Sequence, residues 1–217
     1  MNLIGKITPP TTKEHCFFIV ARNYFTKWVE VVPMKSVSHA DIIQFLKQHI
    51  IRRFGLLETI TYDNGSVFSG GDVDRFASEY GIPITFSTSY YAQGNGQAES
   101  SNKVLKAILA EVIDDNPRSW VEMLSRVLWA FRTSQRSTTG ITPYALTFGH
   151  DVVLPMEVII QLARVARQHD LTPQRYAKAM LSELEDMDEK RLQALDHLHV
   201  QKLTIARAYN KKEEFIG

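Results

Sequence analysis

The order of strand and helix patterns in the first half of the chain is the feature that most constrains its fold. Short runs rich in β-branched and aromatic residues predict strands, and longer runs with apolar residues three and four apart predict helices. The predicted order is three strands, a helix, a strand, a helix and a strand, at residues 1–7, 15–21, 26–32, 38–54, 59–63, 72–80 and 82–87. This order predicts an α/β domain in which a mixed five-stranded sheet is covered by helices.

Capping signals predict the helix boundaries. Ser38 is an N-cap residue with Asp41 in the first turn behind it, and Gly55 ends the same helix. Three later helices each start at a capping residue followed by proline, a combination typical of the first helical position. These motifs are Asn116-Pro117, Thr142-Pro143 and Thr172-Pro173. We therefore predict a core domain at residues 1–150, a linker at 151–171 and a long charged helix at 172–217.

The composition excludes several classes of protein. The 217 residues carry a net charge of only +1, so the overall charge does not by itself indicate binding to nucleic acid. Cys16 is the single cysteine, which excludes an internal disulfide and a multi-cysteine zinc site and fits a reducing compartment. No apolar run has membrane-spanning length, so we expect an intracellular protein that does not contact a membrane.

Two carboxylates stand at opposite ends of a motif-rich segment. Asp63 ends a predicted strand, and Glu99 lies in the first turn of a predicted helix. Mg²⁺ takes hard oxygen ligands and commonly only one or two carboxylates, so the pair could form part of a magnesium site. By pattern alone, Asp63-Asn64-Gly65 is also an ordinary hairpin turn, and the helix dipole also favours a glutamate at the position of Glu99.

Several ordered motifs give this chain a family resemblance. They are TYDNGSVF at 61–68, STSYYAQGNGQAE at 87–99, YFTKW at 24–28, LWAFRT at 128–133, GITPY at 140–144 and FGH at 148–150. In these motifs the chain resembles the integrase catalytic core of Gypsy-type long-terminal-repeat retrotransposons of plants, within the retroviral integrase superfamily. The resemblance implies a ribonuclease H-like fold for residues 1–150, truncated at its N-terminus.

The resemblance also implies a site and a chemistry. Family members use three carboxylates and divalent ions, Mg²⁺ or Mn²⁺, for phosphoryl transfer at DNA. Asp63 and Glu99 match two of the catalytic and metal-binding carboxylates, but Asn2 stands where the first aspartate is expected. An amide oxygen can bind a metal ion, but it is neutral and cannot bridge two cations as a carboxylate can. The implied partners are retroelement DNA ends, target DNA and further copies of the chain, in the nucleus.

The start of the Glu99 helix supplies the candidate DNA contacts. Glu99, Lys103 and Lys106 share one helix face, so the lysines would lie beside the metal ligand and could contact phosphates. Asn102 and Gln97 belong to the same family motif and complete the predicted DNA-binding set. Without the resemblance, a solvated face with a Glu to Lys ion pair is the better explanation of these residues, because surface ion pairs are common.

The C-terminal helix carries an apolar stripe that needs a partner. Packing on the core, self-association and docking of a further domain are all open. His197 and His199 are two residues apart and face different directions, so we do not interpret them as a metal-binding pair.

Two functional hypotheses follow. The first is a retrotransposon integrase core that acts in DNA integration and is impaired because Asn2 replaces the first catalytic aspartate. The second is a degenerate, non-catalytic relic of that core that still binds nucleic acid. We expect Asn2→Asp to restore activity under the first hypothesis.

Overall fold

The computed structural model describes residues 1–62, 71–86, 107, 110–111, 113–115, 117–152 and 172–213. The chain forms two compact units. The first contains Met1–Tyr24 and Val29–Phe131, and the second contains Phe25–Trp28 and Arg132–Gly217. The division of the chain into residues 1–150, 151–171 and 172–217 stays a prediction.

The elements follow the predicted order closely. The strands are β1 (Asn2–Gly5), β2 (Phe17–Arg22), β3 (Val29–Met34), β4 (Ile60–Tyr62) and β5 (Ile84–Phe86). The helices are α1 (His39–Phe45), α2 (Arg52–Phe54), α3 (Gly71–Glu79), α4 (Trp120–Thr133), α5 (Pro143–Phe148) and α6 (Pro173–Glu213). A π-helical segment, Leu46–Ile51, joins α1 to α2. Sequence patterns alone therefore identified each of the five strands found among the described residues.

The sheet differs from the prediction. Among the described residues, β1, β2 and β3 form an antiparallel three-stranded sheet, while β4 and β5 form a separate parallel pair. The backbone nitrogen of Met1 donates a hydrogen bond to the carbonyl oxygen of Thr61, which links the start of β1 to β4. One such bond does not make a ladder, because paired strands exchange hydrogen bonds repeatedly along their length. The single five-stranded sheet that we predicted is therefore not formed by these residues.

The first unit has two apolar cores, on opposite faces of β2. Successive side chains of a strand point to opposite faces, so Ile19 and Ala21 enter one core while Phe18 and Val20 enter the other. Core A also contains residues of α1, the π-helical segment, α3 and β4: Ile42, Phe45, Leu46, Ile50, Ile60, Tyr62, Val73, Phe76 and Ala77, with Ile82 before β5. Core B also contains residues of β3 and α4: Val29, Val31, Trp120, Leu124, Val127, Leu128 and Phe131.

The helix predicted over residues 38–54 has the expected start but a different interior. Ser38 and Asp41 form a reciprocal capping box, in which each side chain accepts a hydrogen bond from the backbone of the other residue. The backbone N–H of Arg52 then donates to the carbonyl oxygen of Lys47, five residues back, so the middle is π-helical rather than α-helical. Gly55 follows α2 with a φ of 86°, a conformation that glycine adopts readily.

Of the three helices predicted to start at a capping residue followed by proline, two begin where the sequence predicts and one begins later. Thr142 caps α5, because its side-chain oxygen accepts a hydrogen bond from the backbone N–H of Ala145 at 3.1 Å. α6 begins at Pro173 as predicted. α4 begins at Trp120 rather than at Pro117, since residues 117–119 form a turn, and Asn116 lies outside the described residues.

In the second unit, Trp28 forms an aromatic and cationic cluster with residues from the end of α4 and from α5. Its ring meets that of Phe148 edge-on at a centroid distance of 5.2 Å, and the guanidinium of Arg132 lies 4.4 Å from the Trp28 ring centre. The edge-on ring pair and the cation–π contact each stabilise the folded chain beyond what burial of the indole surface contributes. Trp28 is only 6% exposed, so its ring is a packed member of this cluster.

Candidate functional site

Asn2 is the only member of the predicted catalytic trio that the structure describes. It is the first residue of β1, pairs with Val20 of β2 and is half-buried. Its backbone position is fixed by the antiparallel ladder that continues to Gly5 opposite Phe17. Regular strand pairing therefore sets the direction in which the side chain at position 2 leaves the sheet.

The face of the sheet to which position 2 belongs follows from the alternation along β1. Leu3 packs against core A, whereas Ile4 packs against core B. Because residues two apart share a face, Asn2 belongs to the core B face with Ile4. Ile113 also packs against core B, and it belongs to the helical residues that follow Glu99 in the sequence. Position 2 is thus on the face covered by that part of the chain.

β4 presents its carboxyl end beside the amino end of β1. The hydrogen bond from Met1 to Thr61 brings the two strand ends together. β5 fixes β4 from the other side, because the Thr61 and Thr85 hydroxyl oxygens lie 2.8 Å apart and the backbone N–H of Ile60 donates to the carbonyl oxygen of Pro83 at 2.9 Å. The residue that follows β4 in the sequence is Asp63. Carboxyl ends of strands in α/β sheets are common positions for functional side chains.

Tyr62, the last residue of β4, is fully buried in core A. Burial raises the pKa of its phenol to about 12, and the nearby charge of Asp74 adds to the rise. The phenol is therefore neutral at physiological pH. A neutral, buried ring immediately before Asp63 anchors the strand end without adding charge to it.

The remaining predicted site residues lie outside the described residues. They are Asp63, Glu99, Gln97, Asn102, Lys103 and Lys106. Among the residues that are described, no cluster of three or more His, Cys, Asp or Glu side chains could hold a metal ion. The described part of the site is therefore the pair of strand ends at Asn2 and Tyr62.

The structure adds one buried carboxylate that sequence reasoning missed. Glu30 of β3 is 5% exposed, and its carboxylate accepts a hydrogen bond from Arg53 at 2.6 Å. Glu30 pairs with Ala21, which faces core A, so it lies on the opposite sheet face from Asn2. Its carboxylate is therefore not on the sheet face of position 2. The sequence gives no signal for the pair, because its members are 23 residues apart and on different elements.

Comparisons with known proteins identify relatives among retroelement polyproteins. The chain is 27% identical over 187 residues to the Pro-Pol polyprotein of Feline foamy virus, a match that covers 80% of this chain and 16% of the polyprotein. It is 28% identical over 152 residues to the Transposon Tf2-3 polyprotein of Schizosaccharomyces pombe, covering 69% of this chain and 11% of that protein. The chain thus spans a small part of the length of these relatives. No protein-family model matches it.

Solved structures give the fold. The catalytic core domain of BIV integrase superposes with a TM-score of 0.52 at 22% identity, covering 67% of this chain and 91% of that domain. The simian T-cell lymphotropic virus intasome, solved in complex with the PP2A regulatory subunit B56 gamma, contains a chain with a TM-score of 0.54 at 24% identity, covering 71% of this chain and 55% of that one. The chain has the fold of a retroviral integrase catalytic core. This is a ribonuclease H-like α/β fold.

Within the described part of this integrase-like chain, no helix is both long enough and apolar enough to cross a membrane.

Proposed function

We propose that this chain is the integrase core of a Gypsy-type long-terminal-repeat retrotransposon, and that its catalytic activity is reduced by the replacement of one carboxylate. The reaction class is metal-dependent phosphoryl transfer at DNA. Water first cleaves a phosphodiester and releases a DNA 3′-hydroxyl, and that hydroxyl then attacks a second phosphodiester and displaces its 3′ oxygen as the leaving group. Support comes from the integrase-like fold, from the retroviral and transposon relatives and from the motifs around Asp63 and Glu99.

The observation that carries the proposal is the position of Asn2. It stands on the core B face at the amino end of β1, beside the strand end that Asp63 follows. A side chain at this position can approach the same reacting groups as Asp63. Because an amide has nearly the same size as a carboxylate, Asn2 keeps the shape of the position and removes its negative charge.

The donor set fits one hard divalent ion better than two. Asn2, Asp63 and Glu99 would offer oxygen ligands, as Mg²⁺ and Mn²⁺ prefer, but only two of these residues are anionic. When bound, such ions supply Lewis-acid stabilisation of the attacking and leaving oxygens. Two carboxylates carry a charge of about −2, against +4 for a pair of divalent ions. We therefore expect weaker ion binding than at a three-carboxylate site.

The helix that follows Glu99 has a positioning role in this proposal. Lys103 and Lys106 would contact DNA phosphates, while Asn102 and Gln97 would donate hydrogen bonds to the backbone of retroelement ends or target DNA. Phosphate contacts orient a duplex without selecting its sequence. Lys103→Ala and Lys106→Ala are therefore expected to weaken DNA binding for all sequences and to reduce its salt dependence.

The test is a strand-transfer assay with Mg²⁺ or Mn²⁺ and a DNA substrate that carries the element's own ends. We expect the natural chain to be nearly inactive, and Asn2→Asp to raise the rate by at least about tenfold, which corresponds to about 1.4 kcal/mol of transition-state stabilisation. Asn2→Asp combined with Asp63→Ala is the matched control and is expected to return to the background rate. Full activity in the natural chain would overturn the proposed impairment.

Asn2 also favours a second candidate function, a non-catalytic nucleic-acid-binding relic of the integrase core. This alternative predicts that Asn2→Asp remains inactive while Lys103 and Lys106 still contribute to DNA binding. A DNA-binding titration beside the strand-transfer assay separates the two functions, since only the first requires recovery of turnover.

The remaining expectations belong to the same proposal. We propose residues 1–150 as the catalytic core, 151–171 as a linker and 172–217 as a separate helical extension. The site of action would be the nucleus, where target DNA lies, and the active form would be a homo-oligomer on DNA.

A further inference from the structure

One face of α6 carries seven exposed side chains in a regular repeat. Their positions follow steps of four and three residues along the helix, which keeps them on one face. All seven are exposed to solvent in the chain: Leu181, Glu185, Asp188, Leu192, Leu195, His199 and Lys202. We call this set the heptad stripe, because its mean spacing of about 3.5 residues is the repeat by which helices pair along a common seam.

The heptad stripe is distinct from the side of α6 that is already packed. Met187, Ala194 and Leu198 are at most 4% exposed and form the buried side of the helix. In contrast, Leu192 is 63% exposed and Leu195 is 42% exposed. Large apolar side chains that recur on one exposed helix face indicate a surface for another helix.

The charges of the heptad stripe are arranged with opposite signs about its centre. Leu192 and Leu195 flank the midpoint, acidic Asp188 and Glu185 lie on the N-terminal side, and the basic residue Lys202 lies on the C-terminal side beyond His199. Asp188 and His199 are equally distant in sequence from the midpoint, as are Glu185 and Lys202. Two copies of the stripe that run in opposite directions therefore place unlike groups opposite each other.

We infer that the heptad stripe is a self-association surface, on which α6 of a second copy of this chain packs in antiparallel orientation. Leu192 of each copy lies opposite Leu195 of the other, and Glu185 lies opposite Lys202. Each contact occurs twice, as a two-fold axis requires. A parallel pair is disfavoured, because it would place Glu185 against Glu185 and Lys202 against Lys202.

The local contact of Asp188 is compatible with this arrangement. Asp188 forms an ion pair with Arg191 on its own helix at 3.0 Å, so its carboxylate already lies on the helix surface. From Glu185 to Lys202 the paired segment is about 27 Å long at 1.5 Å per residue. With two leucine pairs in its centre, the interface is small, and we expect association in the micromolar range.

The test uses charge reversal in the full 217-residue chain. Glu185→Lys alone places two lysines opposite each other, and Lys202→Glu alone places two glutamates opposite each other. Sedimentation equilibrium over roughly 1–200 µM, the range expected for a small interface, is predicted to show a dimer for the natural chain and an about tenfold weaker dimer for each variant.

Mixing the two single variants provides the rescue. In an equimolar mixture, the lysine introduced by Glu185→Lys in one copy faces the glutamate introduced by Lys202→Glu in the other. The second contact then joins the unaltered Lys202 of the first copy to the unaltered Glu185 of the second, so a heterodimer of natural affinity should form. One of the two variants is uniformly labelled with ¹⁵N, so that native mass spectrometry separates the heterodimer from both homodimers; the substitutions alone change the mass too little for this. Asp186→Lys is the matched control: it lies one residue from Glu185 and therefore about 100° away around the helix, so we expect no change.

A second pair of variants tests the apolar centre. Leu192→Glu should abolish the dimer, whereas Val200→Glu, at a 62% exposed residue off the stripe, should not. Far-ultraviolet circular dichroism checks that all variants keep their helix content. A natural chain that stays monomeric would overturn the inference and mean that another partner covers the stripe. A dimer that persists in Leu192→Glu, or a mixture that fails to restore the dimer, would equally refute it.

Discussion

Replacing Trp120 by phenylalanine tests how core B is stabilised. Trp120 is 1% exposed, and its ring centre lies 4.4 Å from that of Phe18. Among the residues that the structure describes, its indole nitrogen Nε1 has no hydrogen-bond partner. Phenylalanine keeps the aromatic contact and removes the buried N–H. The substitution therefore separates the cost of lost volume from the gain of removing an unsatisfied donor.

The two contributions nearly cancel. Phenylalanine leaves a space of about 40 Å³, which costs about 1 kcal/mol, and the lost apolar contacts cost about 1 kcal/mol more. Removal of a buried N–H without a partner raises the free energy of unfolding by about 1–3 kcal/mol. We expect Trp120→Phe to change the free energy of unfolding by less than about 1 kcal/mol, and Trp120→Ala to lower it by about 3–5 kcal/mol.

Urea denaturation followed by circular dichroism measures both variants, provided that the slope of free energy against urea concentration is unchanged. Trp129→Phe, on the same helix at a 43% exposed position, is the control and should change stability by less than about 0.5 kcal/mol. A loss of about 3 kcal/mol or more in Trp120→Phe would refute the reasoning, because it would mean that Nε1 is hydrogen-bonded in the folded protein.

Two further predictions concern Tyr62 and Ser38. Since burial raises the pKa of Tyr62 to about 12 from its ordinary value of 10, the unfolded chain loses this proton at lower pH than the folded protein does. The stabilisation is complete below pH 10 and is lost as the pH rises to 12, by at most about 3 kcal/mol in total. A difference in this pH dependence between the natural chain and Tyr62→Phe checks the prediction, and equal slopes of unfolding free energy against pH would contradict it. Ser38→Ala removes the capping box of α1 and should lower the free energy of unfolding by about 1 kcal/mol, measured by urea denaturation. The exposed helical residue Ser78 provides the control, and an equal loss in Ser78→Ala would show that the cap contributes nothing specific.

Local signals in the sequence predicted the features that depend on neighbouring residues. The capping roles of Ser38 and Thr142 need only residues three positions ahead, and both are present. The buried side of α4 follows from helical spacing, since its apolar residues recur three and four positions apart and are buried: Trp120, Leu124, Val127, Leu128 and Phe131. Such features are fixed by periodicity and by hydrogen bonds within one element.

Features that depend on distant residues could not be predicted in this way. The partner of Arg53 is Glu30, although a dipole interaction at the helix end would also account for a basic residue there. Trp28 packs against Arg132 and Phe148, more than a hundred residues away in the chain. The π-helical segment has no pattern of its own, because Leu46 and Ile50 are spaced as in an ordinary α-helix.

Replacing Asn2 by aspartate tests the proposed chemistry separately from the stability of the fold. The backbone of Asn2 is held by pairing with Val20, and neighbouring Leu3 and Ile4 supply apolar contacts to the two cores. None of these interactions involves the charge of the side chain at position 2. An aspartate and an asparagine at this strand end should therefore give nearly the same stability, while only the aspartate contributes a negative charge beside the strand end that Asp63 follows. A gain of turnover in Asn2→Asp at unchanged stability would thus report on the site alone.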